Sequence, residues 1–381
     1  MPIQAAFNLN PNEIFASIAN MIISQEVFAD NLGKHQTLVD KARVDGGLYG
    51  DKKLYYATDV LKSVPWGPSR ANYSATGANS LQYEATNLLA LERPADPEVQ
   101  DITLDVFRQI CLTVDNYLSK RAWSNEGAFS SFQSVMLGWM RETKRVYDGT
   151  LYNVFIGTSK SAESGQNVSI DLGTTSGHPL YNLSGVEKEQ MEAMLIAQGL
   201  ADLFVKMGDY SRDFNDYGFL RSYADDAIKV IWNANFVNKI RKIDLPTIFH
   251  KEGLVDKFEE EVLPARYFGT VAAADIAAAN NDGTYRSVLE KDYTKVDTTV
   301  VHVFPGDLVP AGIDLEAGEV YAEDADVICK VLVRFPPYMS AFEVGTSFFN
   351  PKSLTENHYL TFGHNTLEYL KNYPFITVKK A

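Results

Sequence analysis

Cysteine, long apolar runs and positive charge are what this 381-residue chain has least of. Its two cysteines, Cys111 and Cys329, each lie inside an apolar run, so neither a disulfide framework nor a thiolate metal site is expected, and both read as small core residues. No apolar run approaches the roughly 18 residues that a membrane helix needs, and the opening "MPIQAAFNLNPNE" has no basic stretch leading into an apolar block. The expectation is a soluble, unexported chain with no membrane partner. Acidic residues outnumber basic ones 49 to 35, a formal charge of −14. That balance argues against a dedicated nucleic-acid reader, because duplex affinity comes largely from lysine and arginine on phosphates. Weak contact with DNA stays compatible with it.

Signatures of catalysis are missing as well. The chain has no phosphate-binding Gly-x-x-x-x-Gly-Lys loop, no Gly-x-Gly-x-x-Gly turn, no His-Glu-x-x-His pair and no Gly-x-Ser-x-Gly elbow. The six histidines are scattered, and the two nearest neighbours among them, His358 and His364, have weak metal spacing. "DYSRDFNDYG" sets Asp213, Asn215 and Gly218 at the first, third and sixth positions of a calcium loop. Tyr217 and Ala224 then stand where further ligands belong, so calcium is not expected. Acidic pairs such as Glu84 with Glu92, or Asp324 with Asp326, have the chemistry of a general acid and base, yet 49 acidic residues produce such pairs by chance. No catalytic residue, cofactor or metal is assigned.

What is present is a globular composition, 45% hydrophobic and 22% charged, with enough length for a substantial core. In "NPNEIFASIANMIISQEVFADNLG", Asn10 can cap, Pro11 suits the first helical position, and Ile14, Ile18, Met21 and Ile22 form one apolar stripe. Such a terminal amphipathic helix needs a partner surface. From Gly46 to about Asp115 the pattern turns strand-rich, and "LYYATDVL" is parted from "LQYEATNLLALE" by a Pro, Gly, Ser and Asn-dense connection from Lys62 to Ser80 that contains Trp66. After it, Ile102, Leu104 and Val106 alternate with acidic or polar residues before the phase slips near Phe107. A projecting two-stranded arm would read this way, and so would a hairpin folded back on its own sheet.

The strongest helical pattern is "SNEGAFSSFQSVMLGWMRETKRVYDGTLYNVFIG". There Phe129, Phe132, Val135, Met136, Trp139, Met140, Val146, Tyr147, Leu151, Val154 and Phe155 make one stripe, against Arg141, Glu142, Lys144, Arg145 and Asp148. About 30 residues at ~1.5 Å each predict a spine of about 45 Å, unless Gly138 or Gly149 kinks it. A loop with turn chemistry follows, and Ser184 with Glu187 gives a capping box ahead of a second amphipathic helix. In "IKVIWNANFVNKIRKIDLPTIFH", Ile228, Val230, Trp232 and Phe236 alternate with polar residues, which predicts a strand with one apolar face running into a helix that carries Lys239, Arg241 and Lys242. Mixed strands fill the last third. No internal repeat appears.

The order of these elements resembles the major capsid protein of tailed bacteriophages, closest to small short-tailed phages (podoviruses) of Gram-positive hosts. The likeness rests on "PEVQDITLDVFRQICLTVDNYLSKRAW" as the returning strand of an extended loop, on "AWSNEGAFSSFQSVML" with Trp123, Asn125, Phe129 and Phe132 as the entry to a spine helix, on "DDAIKVIWNANFVNKIRKIDLPTIFH" as an apical segment, and on "TSFFNPKSLTENHYLTFG" as a C-terminal strand region. Together these phrases run in order over about residues 50 to 375.

The resemblance implies an α+β fold of the Hong Kong 97 type. It divides the chain into an N-terminal arm with its amphipathic helix (1–47), an extended two-stranded loop (48–114), a peripheral domain with the spine helix (115–185), an apical domain (mostly 186–300) and a C-terminal sheet region returning to the peripheral domain (301–381). It implies a non-enzymatic structural protein of the virion that assembles with itself, as pentamers and hexamers, into an icosahedral or prolate shell around double-stranded DNA. Further partners implied are a portal protein and, since the arm starts almost at once, a separate scaffolding protein. Candidate intersubunit contacts are Ile14, Ile18, Lys52, Lys53, Trp66, Lys239, Arg241 and Lys242. Covalent Lys–Asn crosslinking is not expected. The alternatives are a soluble carbohydrate-type hydrolase using a carboxylate pair, with the 62–80 connection as a lid, and a bacterial nanocompartment shell protein.

Overall fold

A computed structural model describes residues 37–47, 52–61, 93–115, 126–159, 166–241, 259–295 and 298–381. A short helix, α1 (Thr37–Ala42), runs directly into β1 (Arg43–Asp45). β2 (Lys53–Ala57) and β3 (Glu98–Ile102) pair antiparallel, with Lys53 opposite Ile102. Thr103 separates β3 from β4 (Leu104–Asp115). Then comes α2 (Glu126–Gly157), 32 residues without a break, which at ~1.5 Å per residue is about 48 Å long. β5 (Thr158–Ser159), β6 (Asn167–Ile170), the 24-residue α3 (Gly185–Gly208), β7 (Lys229–Asn233) and α4 (Ala234–Arg241) follow. Next are β8 (Glu259–Leu263), β9 (Gly269–Val271), β10 (Arg286–Ser287), β11 (Lys291–Thr294), β12 (Val300–Val303) and β13 (Val320–Glu323). β14 (Val327–Leu332), β15 (Tyr338–Asn350), β16 (Thr355–Asn365) and β17 (Phe375–Lys380) close the chain.

The spine expected from the sequence is present, and neither internal glycine breaks it. Its C-terminal half is buried around most of its circumference, at Tyr147, Leu151, Tyr152, Val154 and Ile156. Two expectations about its faces do not hold. Trp139, read as part of the apolar stripe, is 51% exposed, and Lys144 and Asp148, read as solvated, are buried as a pair.

A five-stranded sheet, in the order β6-β17-β14-β7-β8, forms the middle layer. Val230 and Trp232 pack with α3 and α4 on one face, while Ile231 packs with Tyr147, Leu151 and Ile156 of α2 on the other. β7 is therefore covered on both faces, not one, because helices pack on opposite sides of the sheet. Alternation also ends earlier than predicted, and Phe236 already belongs to α4. The switch from strand to helix is made by Asn233, whose side-chain oxygen accepts the Asn235 N–H at 3.1 Å and whose amide donates to the Val327 carbonyl at 2.9 Å. At the start of α3, by contrast, Ser184 occupies the cap position without a side-chain cap bond. The loop read between α2 and α3 also holds a strand, β6, which pairs parallel to β17.

The second sheet, β1-β15-β16-β4, has strands of 13, 11 and 12 residues, twice the usual length. The phase slip expected near Phe107 appears in the ladder as a register shift at Asp105, with Leu104 opposite Asn365 and Val106 opposite His364, while the exposure of alternate side chains runs on through Phe107. Phe107 faces out because Gly363 lies opposite it, and its ring covers the place a Gly363 side chain would fill, within 3.1 Å of that position. Cys111, on the same outward row, is exposed, which corrects its reading as a core residue; Cys329 is buried as expected. Residues 269–323, joined by β5 from the end of α2, build a smaller sheet, β10-β13-β9-β5, with the β11–β12 ribbon around Tyr293, Val303, Val309, Leu315 and Val320.

Candidate self-association surfaces

The β2–β3 ribbon is anchored to the body at its root by one side chain acting as a strand. The Gln100 amide donates to the Tyr369 carbonyl at 2.9 Å, and its oxygen accepts the Lys371 N–H at 3.0 Å. Ile102 packs against Met339 and Leu370 beside it. Further out, Arg212 donates to Asp59 at 2.9 Å, and the Leu220 N–H reaches the same carboxylate at 3.1 Å. These bonds hold the Asp59 carboxyl down at about 2. Leu54, Tyr56 and Val99 stay exposed on the ribbon's outer face.

The β15–β16 hairpin is the other projecting feature. β1 covers the outer edge of β15 only from Tyr338 to Ser340, and among the described residues nothing pairs with that edge beyond it. Phe348 is 60% exposed and Phe349 48%; being consecutive in a strand they point to opposite faces, so the tip of β15 meets water on both. With Phe107 at 58%, the long sheet carries more exposed aromatic surface than any other element described.

Where α2 crosses this sheet, charge is buried. Asp148 accepts from Tyr338 at 2.6 Å and from Lys144 at 3.1 Å, and Arg43 lies 3.6 Å away. From the neighbouring position on the helix, Tyr147 donates to His364 Nε2 at 2.8 Å, while His364 Nδ1 donates to the Asn365 carbonyl at 2.9 Å. Since a carbonyl only accepts, Nδ1 of His364 carries a proton, and burial, which disfavours the charged ring, leaves Nε2 as the acceptor. Burial pushes its pKa below the ordinary 6.5 and pushes the phenols of Tyr147 and Tyr338 up, so both remain donors. Arg108 stacks over the Tyr147 ring and pairs with Glu290 at 2.9 Å, and Glu290 in turn meets His302 at 2.8 Å.

Both nitrogens of His302 are taken, one by Glu290 and the other by Asp292. Asp324, one of the carboxylate candidates, is paired with Lys379 at 3.0 Å and accepts the Asp326 N–H; Glu84, Glu92 and the 62–80 connection lie outside the described residues. His358 and His364 lie along one strand at a separation of ~20 Å, too far to share a metal. No cluster of three or more metal-type ligands occurs among the described residues, and no described helix is long and apolar enough to cross a membrane.

Of the predicted contact residues, Ile14, Ile18, Trp66 and Lys242 lie outside the described residues. Lys52 pairs with Asp101 across the ribbon at 2.5 Å, Lys53 sits opposite Ile102, and Lys239 and Arg241 fall in the last turns of α4. The structure thus brings Lys52 and Lys53 together on one ribbon and leaves α4 on a different element. Sequence reasoning missed Phe107, Phe348 and Phe349 as exposed aromatics. An unbroken alternation from Asp105 to Thr113 was the signal for the first, and the Phe-Phe pair in a strand, which must put one ring on each face, was the signal for the others.

No family model matches the sequence, and no curated protein matches it. Solved structures do. A chain in the capsid structure of Staphylococcus phage Andhra is similar with a TM-score of 0.53 at 10% identity, over 89% of this chain and 83% of that one. A chain in the structure of the head fiber and inner core protein of native bacteriophage P68 is similar with the same TM-score at 8% identity, again over 89% and 83%. The likeness is one of fold: a mixed α+β chain matching phage capsid structures of the Hong Kong 97 type.

Proposed function

We propose that this chain is the major capsid protein of a tailed bacteriophage, a non-enzymatic subunit that assembles with copies of itself into the shell of the virion. The observation that carries this reading is the shared fold over 89% of the chain with a chain of a phage capsid. The geometry supports it independently. A ribbon with an apolar outer face and a long hairpin with an open edge both gain from burial against further copies, and identical copies meeting through heterologous contacts close into rings and shells.

In this reading α2 is the spine of the peripheral domain, the β2–β3 ribbon is the root of the extended loop, and the α3–β7–α4 region forms much of the apical domain, with boundaries near 47, 114, 185 and 300. Pentamers and hexamers of the chain enclose double-stranded DNA that they touch only weakly, in keeping with a charge of −14. A scaffolding protein and a portal protein complete the partners. Lys52, Lys53, Lys239, Arg241 and Lys242, with Ile14, Ile18 and Trp66, are the proposed contact residues.

Electron microscopy of the purified chain, with and without candidate scaffolding, tests the proposal. Closed particles on the order of tens of nanometres are expected from heterologous ring contacts that close. A stable monomer that turns over a glycoside would overturn it.

A further inference from the structure

A groove of about 370 Å³ opens where α1, β1, the ribbon and the end of β14 converge. Its lining contains four cations, Lys41, Arg43, Lys229 and Arg334, and no carboxylate, in a chain whose overall charge is −14. The floor is apolar, with Phe335 under the Lys229 ammonium at 5.0 Å from the ring centre.

Lys41 and Arg43 are partly neutralised from outside the groove by Glu261 and Asp148. Arg334 is held differently. Its guanidinium lies over the rings of Tyr55 and Tyr373, 5.5 and 5.8 Å from their centres, and it has no carboxylate partner among the described residues. Stacking uses the faces of a guanidinium and leaves its in-plane N–H groups available, the arrangement that takes a carboxylate with two parallel bonds. Concave, low-dielectric walls strengthen the field of the four charges.

We infer that this groove is a docking site for a carboxylate-bearing segment of a second copy of the chain. The proposal rests on the capsid reading, which supplies the second copy. A duplex is a poor fit, because a rod of DNA presents its phosphates on a convex surface about 20 Å across, whereas a groove of this size admits a side chain or a short segment. Any neighbouring copy, in contrast, offers carboxylates such as Asp225 and Asp226, which are exposed on the turn before β7 without an ion-pair partner among the described residues. The apolar floor suits the methylene groups of such a segment.

The test uses particles assembled from a mixture of ordinary and isotopically heavy chains and treated with a carbodiimide, which joins a lysine amine to a carboxylate in contact with it. Mixed-isotope crosslinks at Lys229 are expected, while Lys41 to Glu261 gives the same-isotope control within one chain. Arg334→Glu is expected to cut the mixed crosslinks about tenfold by like-charge repulsion, with the circular dichroism of the subunit unchanged and its thermal midpoint lowered only by the lost stacking on Tyr55 and Tyr373. A hexaglutamate peptide is expected to bind the wild-type subunit about tenfold more tightly than Arg334→Glu, by the same repulsion. Same-isotope crosslinks alone at Lys229 in intact particles would overturn the inference, as would displacement of hexaglutamate by a short DNA duplex. If no particles form at all, the capsid reading fails on that result, and the hexaglutamate titration still decides the groove: equal affinity for wild type and Arg334→Glu rejects it.

Discussion

Tyr338 donates its phenolic proton to Oδ1 of Asp148 at 2.6 Å, joining the first residue of β15 to the middle of α2. The second oxygen of the same carboxylate takes Lys144 at 3.1 Å, and both charged side chains are almost completely buried, at 6% and 2% exposure. An ion pair in that position adds little net stability, because desolvation offsets the attraction, but removing Asp148 leaves the buried Lys144 with only the half-exposed Glu343 at 3.4 Å. Asp148→Ala is therefore expected to destabilise the unassembled subunit by about 3–5 kcal/mol, and Tyr338→Phe by about 1.5–3 kcal/mol, as loss of one hydrogen bond to a charged group. Urea unfolding of the two variants beside wild type reads both values, and near-equal midpoints would show that the carboxylate is not a structural hub.

Two glycines of α2 are expected to respond to alanine in opposite directions. A methyl at Gly149 meets nothing within 4 Å, so Gly149→Ala gains helix propensity of about 0.5–1 kcal/mol and raises the thermal midpoint. A methyl at Gly157 would stand 2.2 Å from the Tyr267 carbonyl oxygen, which is backbone and cannot swing aside. Gly157→Ala should cost about 1–3 kcal/mol by overpacking, seen as a lowered midpoint in the same melt.

How much of this was legible in the sequence differs from element to element. α2 was, because spacing at three and four sustained over 32 residues has no other reading. The exit from β7 at Asn233 was legible to within a few residues, and its two-sided burial was not, since that depends on α2, a distant element that packs on the second face. Charges buried as a group are hidden in the same way: Lys144 and Asp148 look like any solvated pair one turn apart until Tyr338 and Arg43 arrive from distant strands. Phe107 misled for another reason. Periodicity assumes that an aromatic ring turns inward, and here it turns outward to cover Gly363. The cationic groove draws on four separate segments and leaves no local trace at all.

His364 makes the stability of the subunit depend on pH. Burial lowers its pKa, so the folded state holds the neutral ring while the unfolded chain takes up a proton near 6.5. Below that value the unfolded state binds more protons, which means that the contribution is complete above 6.5 and is lost as pH falls towards the lower folded pKa. Charging the ring also removes the Nε2 acceptor that Tyr147 uses. The groups facing it are Tyr147 and, as longer-range charges, Asp148, Arg108 and Asp105. The urea midpoint of wild type is expected to drop between about pH 7.5 and about pH 5.5, and that of His364→Gln to drop less, the window being set by an ordinary histidine. Asp59 does not confuse this measurement: with its pKa lowered to about 2, its contribution is complete above 3.8 and is lost only as pH falls from there towards 2.

The two cysteines give a direct reading of the long sheet in solution and in the assembled state. Cys111 lies on the outward row of β4 with its sulfur 3.6 Å from the Gln109 side chain, and it is exposed; Cys329 lies in the middle of β14 at 0% exposure, where burial pushes its thiol up and keeps the reactive thiolate scarce. A maleimide is expected to label one thiol per folded subunit and two in denaturant, with Cys111→Ser removing the fast reaction. If the outward row that carries Phe107 and Cys111 is covered by a neighbouring copy, labelling of Cys111 should slow by about tenfold or more in closed particles, since a covered thiol is out of the reagent's reach. Equal rates in subunit and particle would mean that this face remains open to solvent in the shell and that copies meet instead through the ribbon or the free edge of β15.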